Sequence, residues 1–289
     1  MEGGGRDRDV CGAPRLVIVA LLSTEAPRPK ASLNNVRLAS GLRLHYASQG
    51  PETGPAIVLL HGYADSWFSW SRVLPLLRSE LRVVAPDMRG HGDSERPVAG
   101  YDVAEFAGDV IGLLDALAID RAVVVGHSFG SFVARKVLER APDRVSRLVL
   151  TGAGPSGRNP VVLELLAAVN QLTDPVDEGF VRSFQTDMIN VPIPADFLET
   201  VIAISRRMPS RVWQSALQGL VDCEIRLGRP HLRTLVVGGR LDVVFSASEQ
   251  ATAARQFPNG ELHLIDGVGH TLHWEQPDTF VSALTRFGV

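Results

Sequence analysis

Short, largely apolar runs, too short for a helix, recur along this chain. Residues 56–60 read AIVLL, and the pattern returns at residues 82–85, 122–125, 147–150, 234–237 and 262–265. A strand that is apolar at every position has to be covered on both faces. Between these runs the pattern changes to the helical period. Residues 102–117 bring Val103, Phe106, Val110, Leu113, Leu114 and Leu117 to one face, and Asp102 with Glu105 makes a capping-box signature at the start. Residues 128–140, 246–256 and 277–287 read as helices too. Strand–helix alternation of this kind specifies an α/β protein with a mostly parallel, doubly wound sheet. Residues 33–37 and 42–46, joined through Ser40-Gly41, form a hairpin ahead of it.

One stretch breaks the alternation. Residues 155–228 carry helical patterns at 161–172, 177–188, 194–208 and 211–221 and no convincing strand. Helices inserted between strands predict a helical cap. The expected organisation is a loosely ordered extension over 1–31, an α/β core over 32–154 and 229–289, and the cap over 155–228. A chain of 289 residues with 45% apolar and 21% charged residues has enough core-forming material for this. The apolar run at 16–22 is too short to span a bilayer. Arg6 and Arg8 alternate with Asp7 and Asp9, which does not suit a secretory leader, and Ser23–Ala26 is a poor cleavage site. A net charge of -3 with no basic cluster carries no nucleic-acid footprint. The two cysteines, Cys11 and Cys223, have no metal-site spacing and are expected to remain unbridged in a reducing, cytoplasmic setting.

Gly126-His127-Ser128-Phe129-Gly130 is the most informative pentapeptide. It fits G-x-S-x-G, with an apolar strand before it and a helix after it. A serine on so sharp a strand-to-helix turn needs very small residues two before and two after, which explains Gly126 and Gly130. The helix N-terminus then offers free N–H groups where negative charge develops.

The pentapeptide resembles the nucleophile elbow of α/β-hydrolases. Leu60-His61-Gly62-Tyr63 looks like that family's oxyanion segment, and Asp87-Met88-Arg89-Gly90-His91-Gly92-Asp93-Ser94 like its D-x-R-G-x-G-x-S loop. Gly239-Arg240-Leu241-Asp242 and Gly267-Val268-Gly269-His270 resemble its acid and histidine turns. The resemblance implies a catalytic triad of Ser128, Asp242 and His270, with backbone N–H groups of Tyr63 and Phe129 as the oxyanion hole. Among the eight histidines, His273 is the close rival as base; His61 reads as a structural hydrogen-bonder, and the His127 side chain is expected to point away from the cleft. The alternative acid position, after the strand at 147–150, reads Gly152-Ala153-Gly154 and has no carboxylate. Asp266 reads as a turn residue.

A serine at the elbow separates this chain from haloalkane dehalogenases and epoxide hydrolases, which place aspartate there. The resemblance implies a serine hydrolase acting on a small or medium carboxylic ester or lactone, without metal or organic cofactor. A C–C bond hydrolase or a cofactor-free perhydrolase would use the same triad, and a hydrolase-fold receptor would keep the fold and even the triad while signalling through the cap. Of the cap residues Phe180, Phe184, Met188, Phe197, Met208 and Trp213, most are expected to pack between helices and a minority to face the cleft as substrate walls. Trp67 and Trp213 are the expected pocket walls.

Overall fold

The computed structural model describes Met1, residues 31–228 and residues 230–289. The body of the expected N-terminal extension, its apolar run and Cys11 lie outside the described residues. Eight strands form one sheet in the order β1-β2-β4-β3-β5-β6-β7-β8. They are β1 (Ser32–Arg37), β2 (Arg43–Gln49), β3 (Ala56–Leu60), β4 (Arg82–Pro86), β5 (Ala122–His127), β6 (Val145–Thr151), β7 (Thr234–Gly239) and β8 (Gly260–Ile265). The β1–β2 and β2–β4 pairings are antiparallel, and all pairings from β4 to β8 are parallel. Gly41, at φ 87, turns the hairpin between β1 and β2; left-handed angles of this kind favour glycine.

The central strands are buried on both faces because each has a helical layer above and below. In β3, Val58 and Leu60 join one core cluster, and Ile57 and Leu59 join the other. The first cluster includes Phe106 of α1 (Val103–Ala116) and Phe132 of α2 (Phe129–Arg140). The second is closed by Trp70 and by Phe280 and Phe287. Each such side chain contributes roughly 1.5–3 kcal/mol by leaving water. Residues 262–265 were expected to be buried on both faces. Instead β8 is an edge strand with half-buried residues, because only β7 pairs with it.

The expected capping box at Asp102 is half formed. The Asp102 side chain accepts from the Glu105 N–H at 3.0 Å, while the Glu105 carboxylate faces Arg89 at 3.2 Å. A complete box caps α7 (Ala247–Arg255) through Ser246 and Glu249.

Four helices occupy the chain between β6 and β7: α3 (Pro160–Val169), α4 (Glu178–Thr186), α5 (Ala195–Arg206) and α6 (Ser210–Val221). This insertion is tied to the loop after β3. The Tyr63 hydroxyl donates to the Trp213 carbonyl at 2.6 Å, and the Ser205 hydroxyl donates to the Ala64 carbonyl at 2.8 Å. The short α8 (Leu272–Glu275) and α9 (Pro277–Phe287) end the chain. No helix among the described residues is long and apolar enough to cross a membrane.

Candidate active site

Ser128 occupies the turn between β5 and α2 with φ 49 and ψ -116. A non-glycine residue held there stores backbone strain of about 1–3 kcal/mol. The turn closes only because its neighbours lack side chains. A Cβ on Gly126 would meet the Gly130 carbonyl oxygen at 2.2 Å, and one on Gly130 would meet the Leu60 carbonyl oxygen at 2.4 Å. The Ser128 N–H donates to the Thr151 carbonyl at 2.9 Å, which pins the turn to β6.

The sheet's C-terminal edge gathers the other expected residues. Asp242 follows β7 and His270 follows β8. His270 Nδ1 lies 2.9 Å from Asp242 Oδ2, with both side chains buried. Asp242 Oδ1 accepts from the N–H groups of Val244 and Phe245 at 2.8 and 2.9 Å. The carboxylate orientation is therefore set by its own turn. The bond to Asp242 leaves His270 Nε2 as the ring's proton acceptor.

Gly152 makes room for this histidine: it sits at φ 55, and a Cβ on it would lie 2.9 Å from His270 Cε1. The turn without a carboxylate is thus also the turn that admits the imidazole. Glu275, which the sequence reading missed, braces the histidine turn. It accepts from Gly269 N–H, from Asn190 N–H at 3.0 Å and from Val191 N–H at 2.7 Å. The His270 N–H donates to the Met188 carbonyl at 3.0 Å. The insertion and the histidine turn are therefore coupled through backbone hydrogen bonds.

Phe129 opens α2, so its N–H is one of the donors that a helix start leaves free. Tyr63 follows the turn after β3. Its ring packs edge-on against Phe184 and Trp213. Burial pushes the Tyr63 phenol well above its ordinary pKa.

A cavity of about 270 Å³ is lined by Ser128, His270, Gly62 and Tyr63 together with insertion residues such as Val162, Phe184 and Leu217. Neither Trp67 nor Trp213 lines it, which corrects the expected pocket walls. Trp213 stands behind Tyr63 and Phe184 and donates its Nε1 proton to the Met208 carbonyl. Trp67 packs edge-on against Phe68, and its N–H is bound by Asp87. The tryptophan in the wall is Trp274, four residues after His270. Phe184 and Met188 of the insertion also line the cavity. Asp65 is a further lining residue that the sequence reading passed over, four residues after His61. Burial raises its carboxyl pKa to about 8.

The other histidines take distinct structural positions. His61 Nε2 accepts from the Met88 N–H at 3.0 Å, and its Nδ1 donates to the Gly62 carbonyl. His127 does not point away from the site. Its ring lies between His270 and His273, with centroids 5.0 and 4.4 Å away. Burial, followed by the nearby His273 and His270, holds His127 well below the usual histidine pKa. His273 is fully buried against Trp70, and neither ring nitrogen has a partner among the described residues. His45, Asp87 and Asp93 place candidate ligand atoms within 4.8 Å of one another. The Asp87 oxygens are already engaged by His45 Nδ1 and by the N–H groups of Trp67 and Asp93, which suits a loop-organising role.

Residues 55–196 match the family described as the alpha/beta hydrolase fold. The 2-hydroxymuconate semialdehyde hydrolase of Pseudomonas sp. strain CF600 is 31% identical over 280 residues, covering 91% of this chain and 96% of its own. A hydrolase from Pseudomonas aeruginosa PA01 has a similar solved structure, with a TM-score of 0.77 and 27% identity, covering 89% of this chain and 99% of its own. The enol-lactonase from Burkholderia xenovorans LB400 shares the fold at a TM-score of 0.74 and 21% identity, over 88% of this chain and 99% of its own.

Proposed function

This chain belongs to the α/β-hydrolase fold family, and on that premise we propose that it is a serine hydrolase that cleaves a small or medium carboxylic ester or lactone. The observation that carries this reading is that a strained Ser128 and His270 line one cavity, with His270 bonded behind it to the buried Asp242. In the proposed reaction, His270 Nε2 takes the Ser128 hydroxyl proton as Oγ attacks the substrate carbonyl. The N–H groups of Tyr63 and Phe129 stabilise the oxyanion. His270 then gives the proton to the departing alkoxide, leaving an acyl group on Ser128. A water deprotonated by His270 attacks the acyl group, releases the acid and restores the serine. Asp242 holds the imidazole tautomer and stabilises the imidazolium in both halves.

The cavity wall supports an uncharged, partly apolar substrate. Val162, Leu165, Leu217, Leu220, Val244 and Phe245 are among its apolar lining residues. We read the insertion as a cap that forms part of the cavity wall over Ser128. No cofactor takes part in this scheme, and we place it in the cytoplasm.

A second reading keeps the triad and changes the bond to C–C. The likeness to the Pseudomonas semialdehyde hydrolase favours it. Against it, the cavity lining contains no lysine or arginine to meet the carboxylate of a muconate-like substrate. Hydrolysis of p-nitrophenyl esters over a range of acyl lengths, wild type beside Ser128→Ala, tests the proposal. Turnover that falls by about 10⁵-fold or more in the variant supports it. Equal turnover in the two proteins removes the serine mechanism, and no turnover in wild type favours the C–C reading.

A further inference from the structure

The cavity lining includes buried polar groups that the reaction scheme leaves unused. Asp65 is 4% exposed, and its carboxyl has one side-chain partner, the Gln185 amide at 3.4 Å from Oδ1. Gln185 Nε2 makes its shorter bond, 2.9 Å, to the Ser205 hydroxyl instead. His127 gives its Nε2 proton to the His270 carbonyl at 3.2 Å, which makes Nδ1 an acceptor. That Nδ1 is buried without a partner among the described residues, and so is the donor Nε1 of Trp274. Asp65, Gln185, His127 and Trp274 all line the cavity that holds Ser128 and His270. Asp65 Oδ2 and His127 Nδ1 abut the bare face of Gly62, where a Cβ would stand 3.2 and 2.7 Å from them.

Buried polar groups without partners each cost about 1–3 kcal/mol, which a ligand that pairs them recovers. The chemistry here is specific. A hydroxyl gives its proton to an acceptor such as Asp65 or the neighbouring His127 Nδ1. A methyl group pairs with neither. A carboxylate brings a charge into a largely apolar cavity whose acidic lining residues are Asp65, Glu164 and Asp187, with no lysine or arginine in the lining to meet it. Resting on the serine hydrolase reading, we infer that Asp65, with His127 beside it, forms a specificity subsite for a hydroxyl substituent of the substrate. The same subsite rejects substrates bearing a carboxylate.

Binding to the full-length Ser128→Ala protein, measured by calorimetry, tests this without depending on turnover. The probes are ethyl propanoate, ethyl 3-hydroxypropanoate, 2-hydroxyethyl propanoate and monoethyl succinate. They place a hydroxyl on the acyl side, a hydroxyl on the alcohol side, or a carboxylate. At least one hydroxy ester should bind about tenfold tighter than ethyl propanoate, and monoethyl succinate should bind weakest of the four. Adding Asp65→Leu should shrink the hydroxyl preference to within about threefold. Asp65→Asn, nearly the same shape, should reduce it in the same direction and serves if Asp65→Leu does not fold. Equal affinity for all four probes overturns the subsite, as does a preference that survives both Asp65 substitutions. Wild-type turnover of ethyl propanoate is a separate readout. Its absence counts against the ester reading, whereas turnover without a hydroxyl preference in binding counts against the subsite alone.

Discussion

Two buried aspartates of the same cavity region are treated very differently. Asp242 follows β7 and receives three donors: two N–H groups of its own turn and the His270 imidazole. Asp65 follows β3 and has one long contact, from a glutamine 120 residues away. Both side chains are almost fully withdrawn from water. The difference lies in the number of fixed donors rather than in burial. A buried carboxyl starved of donors is driven toward the neutral form. Burial accordingly pushes Asp65 up to about 8. The first arrangement suits orienting a base, and the second leaves hydrogen-bonding capacity for a ligand.

Four substitutions break or sharpen this contrast, in descending order of effect. Asp242→Asn should reduce turnover by about 10⁴-fold, because an amide favours the wrong imidazole tautomer. A loss of tenfold or less in kcat would mean that the donor-rich aspartate does not orient the base.

Asp65→Asn should act on the pH dependence of stability. In the folded chain Asp65 holds its proton up to about 8, against an ordinary value of 3.8. The folded state therefore binds the extra proton between those values, and stability falls as pH rises from about 4 to about 8. The asparagine variant should lack this slope, gaining on the order of 5 kcal/mol relative to wild type between pH 4 and pH 9. Melting curves of the two proteins over that range would settle the matter; parallel curves would mean that Asp65 is well solvated or well paired.

Gly152→Ala should push the His270 ring while leaving Asp242 and its donors in place. The new Cβ meets His270 Cε1 at 2.9 Å, and the positive φ adds strain of about 1–3 kcal/mol. A fall in kcat together with a lower melting temperature is expected; wild-type values for both would show that the imidazole relaxes freely.

His273→Phe is the smallest expected change. Its ring nitrogens have no partners to lose, so an apolar ring of similar shape should leave turnover within about threefold and stability level or slightly raised. If His273→Phe abolished activity and His270→Ala did not, the base would have to be reassigned.

Much of the fold was legible because it is written locally. Apolar runs such as AIVLL and the helical period of residues 102–117 depend on neighbours in the chain. So do the glycines around Ser128, whose job is to remove side chains from one turn. The edge position of β8 was not read, although His263 interrupts Leu262, Leu264 and Ile265, since a short, largely apolar run looks much the same at the centre and at the margin of a sheet. The capping box was legible in kind but was completed at Ser246 rather than Asp102, because Arg89 draws Glu105 away.

The chain's own order of residues determined the layered sheet, the strained serine turn and the candidate serine, acid and histidine. Each is set by backbone geometry and short-range spacing, which a linear pattern can carry. Tertiary structure alone decided the walls and the polarity of the cavity. It put Trp274 in the lining and sent Trp67 and Trp213 elsewhere. It drew His127 in beside His270 and left Asp65 with a single distant amide. These outcomes depend on which side chains, far apart in sequence, compete for the same space and the same hydrogen bonds, and that competition is resolved only when the sheet and the insertion pack together.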